Sequence, residues 1–137
     1  MAAPARARAR ALIALGATFG GMNAASPDIV EEVASWPRVE LSDGRFGSTR
    51  FMVGRRELGH LHCSGTLDVP LPTRMKAELV ARGEVEAHRF ARPDSGWVTL
   101  RIRDEESRQR ALAILRERYE HAVSRGARRA QAVDPPA

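Results

Sequence analysis

Three of the four histidines lie in two short segments where they could carry out chemistry. His60 and His62 are two residues apart in the segment 59–63, and His88 lies in the segment 86–90. Side chains two residues apart on a β-strand point to the same side, so we expect His60 and His62 to share one face. Imidazole changes its charge near neutral pH and also binds metal ions. These histidines are therefore the candidate catalytic residues.

Asp68, Trp97 and Ser95 are the candidates for contacting a substrate beside them. Asp68 alternates with apolar neighbours, so its carboxylate is expected on the histidine side of the sheet. Trp97 offers a ring on which a ligand can stack, and Ser95 stands in the turn just before it. If the strands follow one another in simple order, one open sheet face presents five of these side chains: His60, His62, Asp68, His88 and Trp97.

Such a face has three interpretations. A histidine can remove a proton from an organic substrate held against Trp97, while neighbouring polar groups hold the anion. Alternatively, His60 and His62 supply two imidazoles to a divalent metal ion. The strands that carry His60 and His88 are expected to be two positions apart in the sheet, which separates their backbones by about 10 Å. His88 could therefore bind the same ion only if Asp68 bridges the gap or the sheet curls. The third interpretation is an ordinary polar face that binds nothing.

The elements that must position these residues follow from changes in the hydrophobic period. Helical patterns begin at Ser26, Thr73 and Asp104. Alternating patterns between turn signals predict six strands, at 39–41, 49–53, 57–62, 66–69, 85–90 and 97–103. The order is α-β-β-β-β-α-β-β-α. Because the hairpin turns are too short for parallel crossovers, we predict an α+β fold, an antiparallel meander with helices packed on one face.

The excess positive charge lies at the two ends of the chain. The 137 residues carry a formal net charge of +5, but residues 28–121 balance to zero. We predict a disordered Ala/Arg-rich extension over 1–25, one domain over 26–122 and a disordered tail over 123–137. A domain without a net positive charge is poorly suited to binding the phosphates of a nucleic acid, so nucleic acid is not its expected partner.

Composition also limits the cellular setting. No apolar run approaches the roughly 20 residues needed to cross a bilayer, so no membrane-embedded form is expected. The lone cysteine, Cys63, forms neither an internal disulfide nor a cysteine zinc cluster. We expect a cytoplasmic protein. The alternatives are secretion, because the Arg-rich start and the weak apolar segment 11–17 outline a signal peptide, or a chain that truly begins at Met22.

Several segments resemble the luciferase-domain family, which groups small bacterial proteins with the luciferases of bioluminescent fungi. The resemblance spans roughly residues 29–121. It is carried by residues 46–62, 65–72 and 88–98 and by the closing helix. Its most specific pieces are Gly59-His60-Leu61-His62 and Pro93-Asp94-Ser95-Gly96-Trp97-Val98.

The resemblance implies a small-molecule site on the histidine face and no bound cofactor. The fungal enzymes oxidise a hydroxylated pyrone with molecular oxygen and emit light, but a small bacterial relative need not share that substrate. The implied activity is a cofactor-independent oxygenase acting on an aromatic or enolic compound, with a divalent metal as the alternative. The competing class is a non-catalytic binding module, including weak nucleic-acid binding through the Arg-rich tails.

Overall fold

The computed structural model describes residues 26–133. Helix α1 (Ser26–Ala34) precedes four strands, β1 (Val39–Asp43), β2 (Thr49–Val53), β3 (Arg56–Leu61) and β4 (Thr66–Pro70), with a 3-10 turn (Arg45–Gly47) between β1 and β2. Helix α2 (Thr73–Ala81) is followed by β5 (Glu86–Ala87), β6 (Trp97–Arg101) and the long helix α3 (Glu105–Val133). The predicted order of elements is therefore confirmed over the described residues.

The strands form one antiparallel sheet in the order β1-β2-β3-β4-β6-β5. The α+β class and the meander are confirmed, except that β6 lies between β4 and β5 instead of following the simple order. The different burial of the two strands explains why β6, and not β5, lies next to β4. Val98 and Leu100 of β6 are buried, as a central strand requires, whereas both residues of β5 are exposed, as an edge strand tolerates.

The core lies between one face of the sheet and the helices. Its fully buried large side chains are Ile29, Val30, Val33, Phe51, Leu58, Leu61, Leu67, Val69, Val98 and Leu115. Tyr119 of α3 ties the helices together, because its ring lies 5.2 Å from that of Trp36 and its hydroxyl donates a 2.9 Å hydrogen bond to the carbonyl of Pro37. This packing leaves the opposite sheet face free for polar side chains.

A β-bulge in β3 decides which residues reach that polar face. The register pairs Phe51 with Gly59 but Met52 with Glu57, so Leu58 is an extra residue. Leu58 and Gly59 are both buried. Glu57 consequently lies on the same face as the residue three positions later, where strict alternation would place it on the other.

Gly59→Ala is expected to lower the free energy of unfolding by about 1–2 kcal/mol. An alanine Cβ would stand 2.8 Å from the backbone oxygen of Asp68 and 3.2 Å from Cγ2 of Val69, so the sheet would have to shift. Gly126→Ala in α3 is the control, since its Cβ meets its nearest atom at 3.9 Å. That change should hold or raise stability by up to ~1 kcal/mol. Urea unfolding measures both, and an unaffected Gly59→Ala protein would contradict the tight packing.

The last helix is longer than the sequence predicts. It continues to Val133, where a disordered tail is predicted from residue 123. The segment is rich in alanine and arginine, which are good helix formers, and the single Gly126 costs only ~1 kcal/mol. The predicted extension 1–25 and the last residues, 134–137, lie outside the described residues. No helix within residues 26–133 combines the length and apolar character needed to cross a membrane.

Candidate functional site

The sheet face opposite the helices, the histidine face, carries one polar residue from each strand in a single row. The pairing of neighbouring strands aligns Ser42, Arg50, His60, Asp68, Thr99 and Glu86 in that order. The inner position of β6 is what brings Thr99 beside Asp68. The row therefore joins residues far apart in the sequence.

All three predicted catalytic histidines meet at Asp68. Oδ2 of Asp68 lies 2.8 Å from Nε2 of His62 and 3.2 Å from Nε2 of both His60 and His88. Oδ1 accepts a 2.7 Å hydrogen bond from the hydroxyl of Thr99. We name these five residues the Asp68 cluster. The expected role of Asp68 as a substrate contact needs correction: the residue is 3% exposed, because the surrounding side chains cover it, so it orients them.

His60 lies between two carboxylates. Its Nδ1 is 2.8 Å from Oε1 of Glu57, and its Nε2 is 3.2 Å from Oδ2 of Asp68. The interaction with Asp68, followed by that with Glu57, raises the pKa of His60 to about 9 against the opposing effect of burial. Each nitrogen therefore carries a proton at neutral pH, and the ring is a fixed imidazolium.

The two carboxylates are correspondingly held in their charged form. Burial by itself raises the pKa of Glu57, but the hydrogen bond and charge of His60 and the charge of Arg50 outweigh it, so the pKa is lowered. Burial likewise raises the pKa of Asp68, yet its hydrogen bonds, first from His60 and then from Thr99, outweigh burial and lower that pKa well below its usual range. Nε of Arg50 lies 3.4 Å from Glu57, which extends the chain of alternating charges.

His62 is in a different state. Its Nε2 is hydrogen-bonded to Oδ2 of Asp68 at 2.8 Å, which assigns the ring proton to that nitrogen because the carboxylate accepts. Within the described residues its Nδ1 makes no hydrogen bond, and 27% of the side chain is exposed. A carboxylate that orients an imidazole while the second nitrogen stays open is the arrangement of a general base.

His88 has both ring nitrogens occupied. Nε2 donates to Asp68 at 3.2 Å, while Nδ1 accepts the backbone N–H of Phe90 at 3.1 Å. In this arrangement both ring nitrogens of His88 have hydrogen-bond partners within the protein. Its backbone N–H also donates to the carbonyl of Trp97 at 3.1 Å. His88 therefore anchors the edge of the sheet, and its catalytic role stays a prediction.

The strand that carries His88 is shorter than the predicted 85–90. After Ala87 the chain turns, with the N–H of Ala91 donating to the carbonyl of His88 at 3.3 Å. Val85 is buried, whereas Ala87 is exposed because β5 is an edge strand with little covering it.

Aromatic rings form a continuous surface across the histidine face, here called the aromatic ribbon. Ring centroids are separated by 5.0 Å between His62 and His60, 5.3 Å between His60 and Trp97, and 6.3 Å between Trp97 and His88. Phe90 continues the ribbon 6.3 Å from His88 and is 86% exposed. Such a surface suits a planar aromatic ligand.

Ser95 supports the site without joining it. Its hydroxyl accepts the N–H of Trp97 at 3.4 Å, and its carbonyl accepts Nζ of Lys76 at 2.6 Å. Within the described part of the chain, its hydrogen bonds reach no histidine. These hydrogen bonds fix the turn before β6, and the expectation that Ser95 contacts a substrate stays a prediction.

Sequence reasoning missed Glu57. Strict alternation along β3 assigns it to the side away from His60, and the bulge reverses that assignment. The available signal was Gly59, because a glycine inside a strand commonly marks a bulge or a close backbone approach.

His60, His62 and Asp68 are the side chains that could share a metal ion, since one ligand atom from each lies within 4.8 Å of the others. Two imidazoles and a carboxylate suit zinc or iron(II). The hydrogen bond from His60 to Glu57 resembles the outer support of many metal ligands. However, an ion would have to displace the protons that Asp68 now holds on both rings.

Comparison with known proteins supports the resemblance. The family model described as luciferase domain matches residues 55–118, from the turn before β3 into α3. The matched segment contains the Asp68 cluster, Glu57 and Trp97. No curated protein and no solved structure matches the chain.

Proposed function

We propose that the histidine face binds a planar aromatic or enolic compound and removes a proton from it, because the luciferase domain family model matches residues 55–118, which include the Asp68 cluster. The observation that carries this proposal is the state of His62: its Nε2 is held by Asp68 and its Nδ1 is open. By similarity to the fungal luciferases, molecular oxygen would then oxidise the resulting anion.

His62 is the proposed general base. A phenolic or enolic O–H placed against Nδ1 passes its proton to that nitrogen, and the ring becomes an imidazolium. Asp68, whose pKa is lowered, stays charged and stabilises this imidazolium through the bond to Nε2. A carboxylate behind a histidine does the same in hydrolytic triads.

The charge balance of the site favours the anion. Before proton transfer, the positive Arg50 and His60 offset the negative Glu57 and Asp68. Once His62 has taken the proton, the group carries one positive charge beside one negative substrate. Fixed charges at the place where charge develops stabilise the transition state without reorganising.

The aromatic ribbon supplies the binding surface. Trp97 lies next to His60, and the exposed Phe90 stands beyond His88 at the edge of the sheet. A planar ring stacked there would gain about 0.5–1.5 kcal/mol per ring pair beyond its buried area. Phe90, with His88 between it and Trp97, extends this surface to the edge of the sheet.

His62→Gln is expected to cut proton removal from the bound ligand at least tenfold, because glutamine can accept no proton, while the melting temperature stays within about 2 °C. A hydroxylated pyrone is the probe, since its neutral and ionised forms absorb at different wavelengths. The absorbance of the bound probe gives its ionised fraction. The dependence of that absorbance on probe concentration gives the affinity.

His121→Gln is the matched control, because His121 is exposed on α3 and away from the histidine face. It should ionise the probe as the unchanged protein does. Equal ionisation by the His62→Gln protein would contradict the general base. Tight binding of the neutral probe with no ionisation by any protein would instead indicate a non-catalytic binding module.

A further inference from the structure

The second half of α3 forms part of a cluster of positive side chains that the proposed function does not use. We call this cluster the basic ridge. Its members come from the α1–β1 connection, from β3 and from α3; they are Arg38, Arg56, Arg118, His121, Arg125 and Arg128. Two members of the basic ridge, Arg125 and Arg128, lie beyond position 122, in the segment predicted from the sequence to be a disordered tail.

The ridge has a defined geometry. Arg118, His121, Arg125 and Arg128 follow one another at spacings of three and four residues, so they line one face of the helix. At 1.5 Å per residue they extend over about 15 Å. Nη1 of Arg38 lies 3.9 Å from the position that a Cβ on residue 126 would occupy, which places this guanidinium against the same helix.

These cations repel one another. Burial, followed by the charges of Arg56 and Arg125, lowers the pKa of Arg118, with Glu117 opposing in part. Burial and then the charge of Arg118, followed by other ridge arginines, lower the pKa of His121. Like charges held this close are destabilising unless an anion joins them.

The ridge also has an unfilled hydrogen-bonding position. Nε of Arg118 is buried and has no hydrogen-bond partner within the part of the chain that the structure describes. Among residues 28–129, none of the ridge arginines forms an ion pair with a carboxylate. Elsewhere on the same helix, Arg110 and Arg116 pair with Glu106 and Glu120 at 3.2 Å. The ridge therefore lacks the counter-charges that the rest of α3 has.

We propose that the basic ridge binds the phosphate backbone of double-stranded nucleic acid, without sequence preference. A duplex carries one negative charge per about 1.7 Å of its axis, so its phosphates are dense enough to meet every cation of a row about 15 Å long. Phosphate oxygens would accept from the exposed guanidinium groups of Arg125 and Arg128. Residues 124–129 are serine, arginine, glycine and alanine, so the helix has no large apolar side chain there to enter a membrane surface.

The test is fluorescence anisotropy of a labelled mixed-sequence DNA duplex with the full chain, over a series of salt concentrations. We expect Arg125→Gln combined with Arg128→Gln to weaken binding at least tenfold at low salt. The slope of log K against log salt, which is negative, should become shallower by about 1.8, because each of the two lost phosphate contacts contributes about 0.9 to it.

Arg110→Gln combined with Arg116→Gln is the matched control, because it removes the same charge from the same helix at paired positions. Its affinity should stay within twofold or so of the unchanged protein. Equal loss in both double variants would overturn the ridge in favour of net charge alone. Absence of duplex binding by the full chain would overturn it as well. The proposal would also be overturned if the Arg125/Arg128 variant lost binding to phosphatidylserine vesicles while its duplex binding stayed unchanged.

Discussion

Asp68→Asn is expected to lower the free energy of unfolding by about 3–4 kcal/mol, as measured by urea unfolding at neutral pH. Asparagine keeps the shape of the side chain but removes the charge that neutralises the imidazolium of His60. It also turns an amide N–H₂ toward ring N–H groups that need an acceptor. Because residue 68 is 3% exposed, water cannot replace the lost acceptor.

Asp94→Asn is the control for this substitution. Asp94 has a side chain 75% exposed and lies 3.4 Å from Arg92, so the pair is screened by solvent. Its loss should change stability by less than about 0.5 kcal/mol. An Asp68→Asn protein as stable as the Asp94→Asn protein would show that the Asp68 cluster does not hold the sheet together.

The pH dependence of stability is expected to show a loss between pH 6.5 and about 9. The pKa of His60 is raised on folding, so its contribution is fully present below pH 6.5 and disappears as pH rises through the folded value. With 20% of the side chain exposed, the total loss should be about 2–3 kcal/mol. Glu57 and Asp68 have lowered pKa values, so their contributions are lost on the acidic side instead.

His60→Gln separates this effect from other titrations. Glutamine has no proton to lose in the window, so unfolding free energies measured at pH 6, 7.5 and 9 or so should differ little in that variant. His121→Gln should retain the alkaline loss of the unchanged protein. If the His60→Gln protein still loses stability at alkaline pH to the same extent, the imidazolium between two carboxylates is not the cause.

The alternation of apolar and polar residues predicted the correct face of the sheet, because alternate residues of a strand lie on opposite sides. It brought His60, His62, Asp68, His88 and Trp97 together. It missed Glu57, since one extra residue in a bulge changes parity without changing the hydrophobic pattern. Gly59 signals an irregularity in β3, but the hydrophobic pattern does not say which residue is the extra one.

The roles of the three histidines were also beyond the sequence. Each is the same side chain on the same face, yet His60 lies between two carboxylates, His62 keeps one nitrogen open within the described residues, and His88 has both nitrogens hydrogen-bonded. The difference lies in which atoms stand within about 3 Å of each ring, and such distances depend on register and strand order. Composition likewise made residues 123–133 look like a tail, although alanine and arginine also favour helix.

The inner position of β6 has a consequence for how the domain assembles. Strands β1 to β4 pair with their neighbours in the chain and can form early, whereas β4 must wait for β6 across residues 71–96. The two-residue strand β5 pairs only with β6, so it can join the sheet only after β6 has paired. His88 follows β5 directly and reaches Asp68 through the same pairing. The histidine site is therefore complete only when the pairing of β4 with β6 and that of β6 with β5 have both formed.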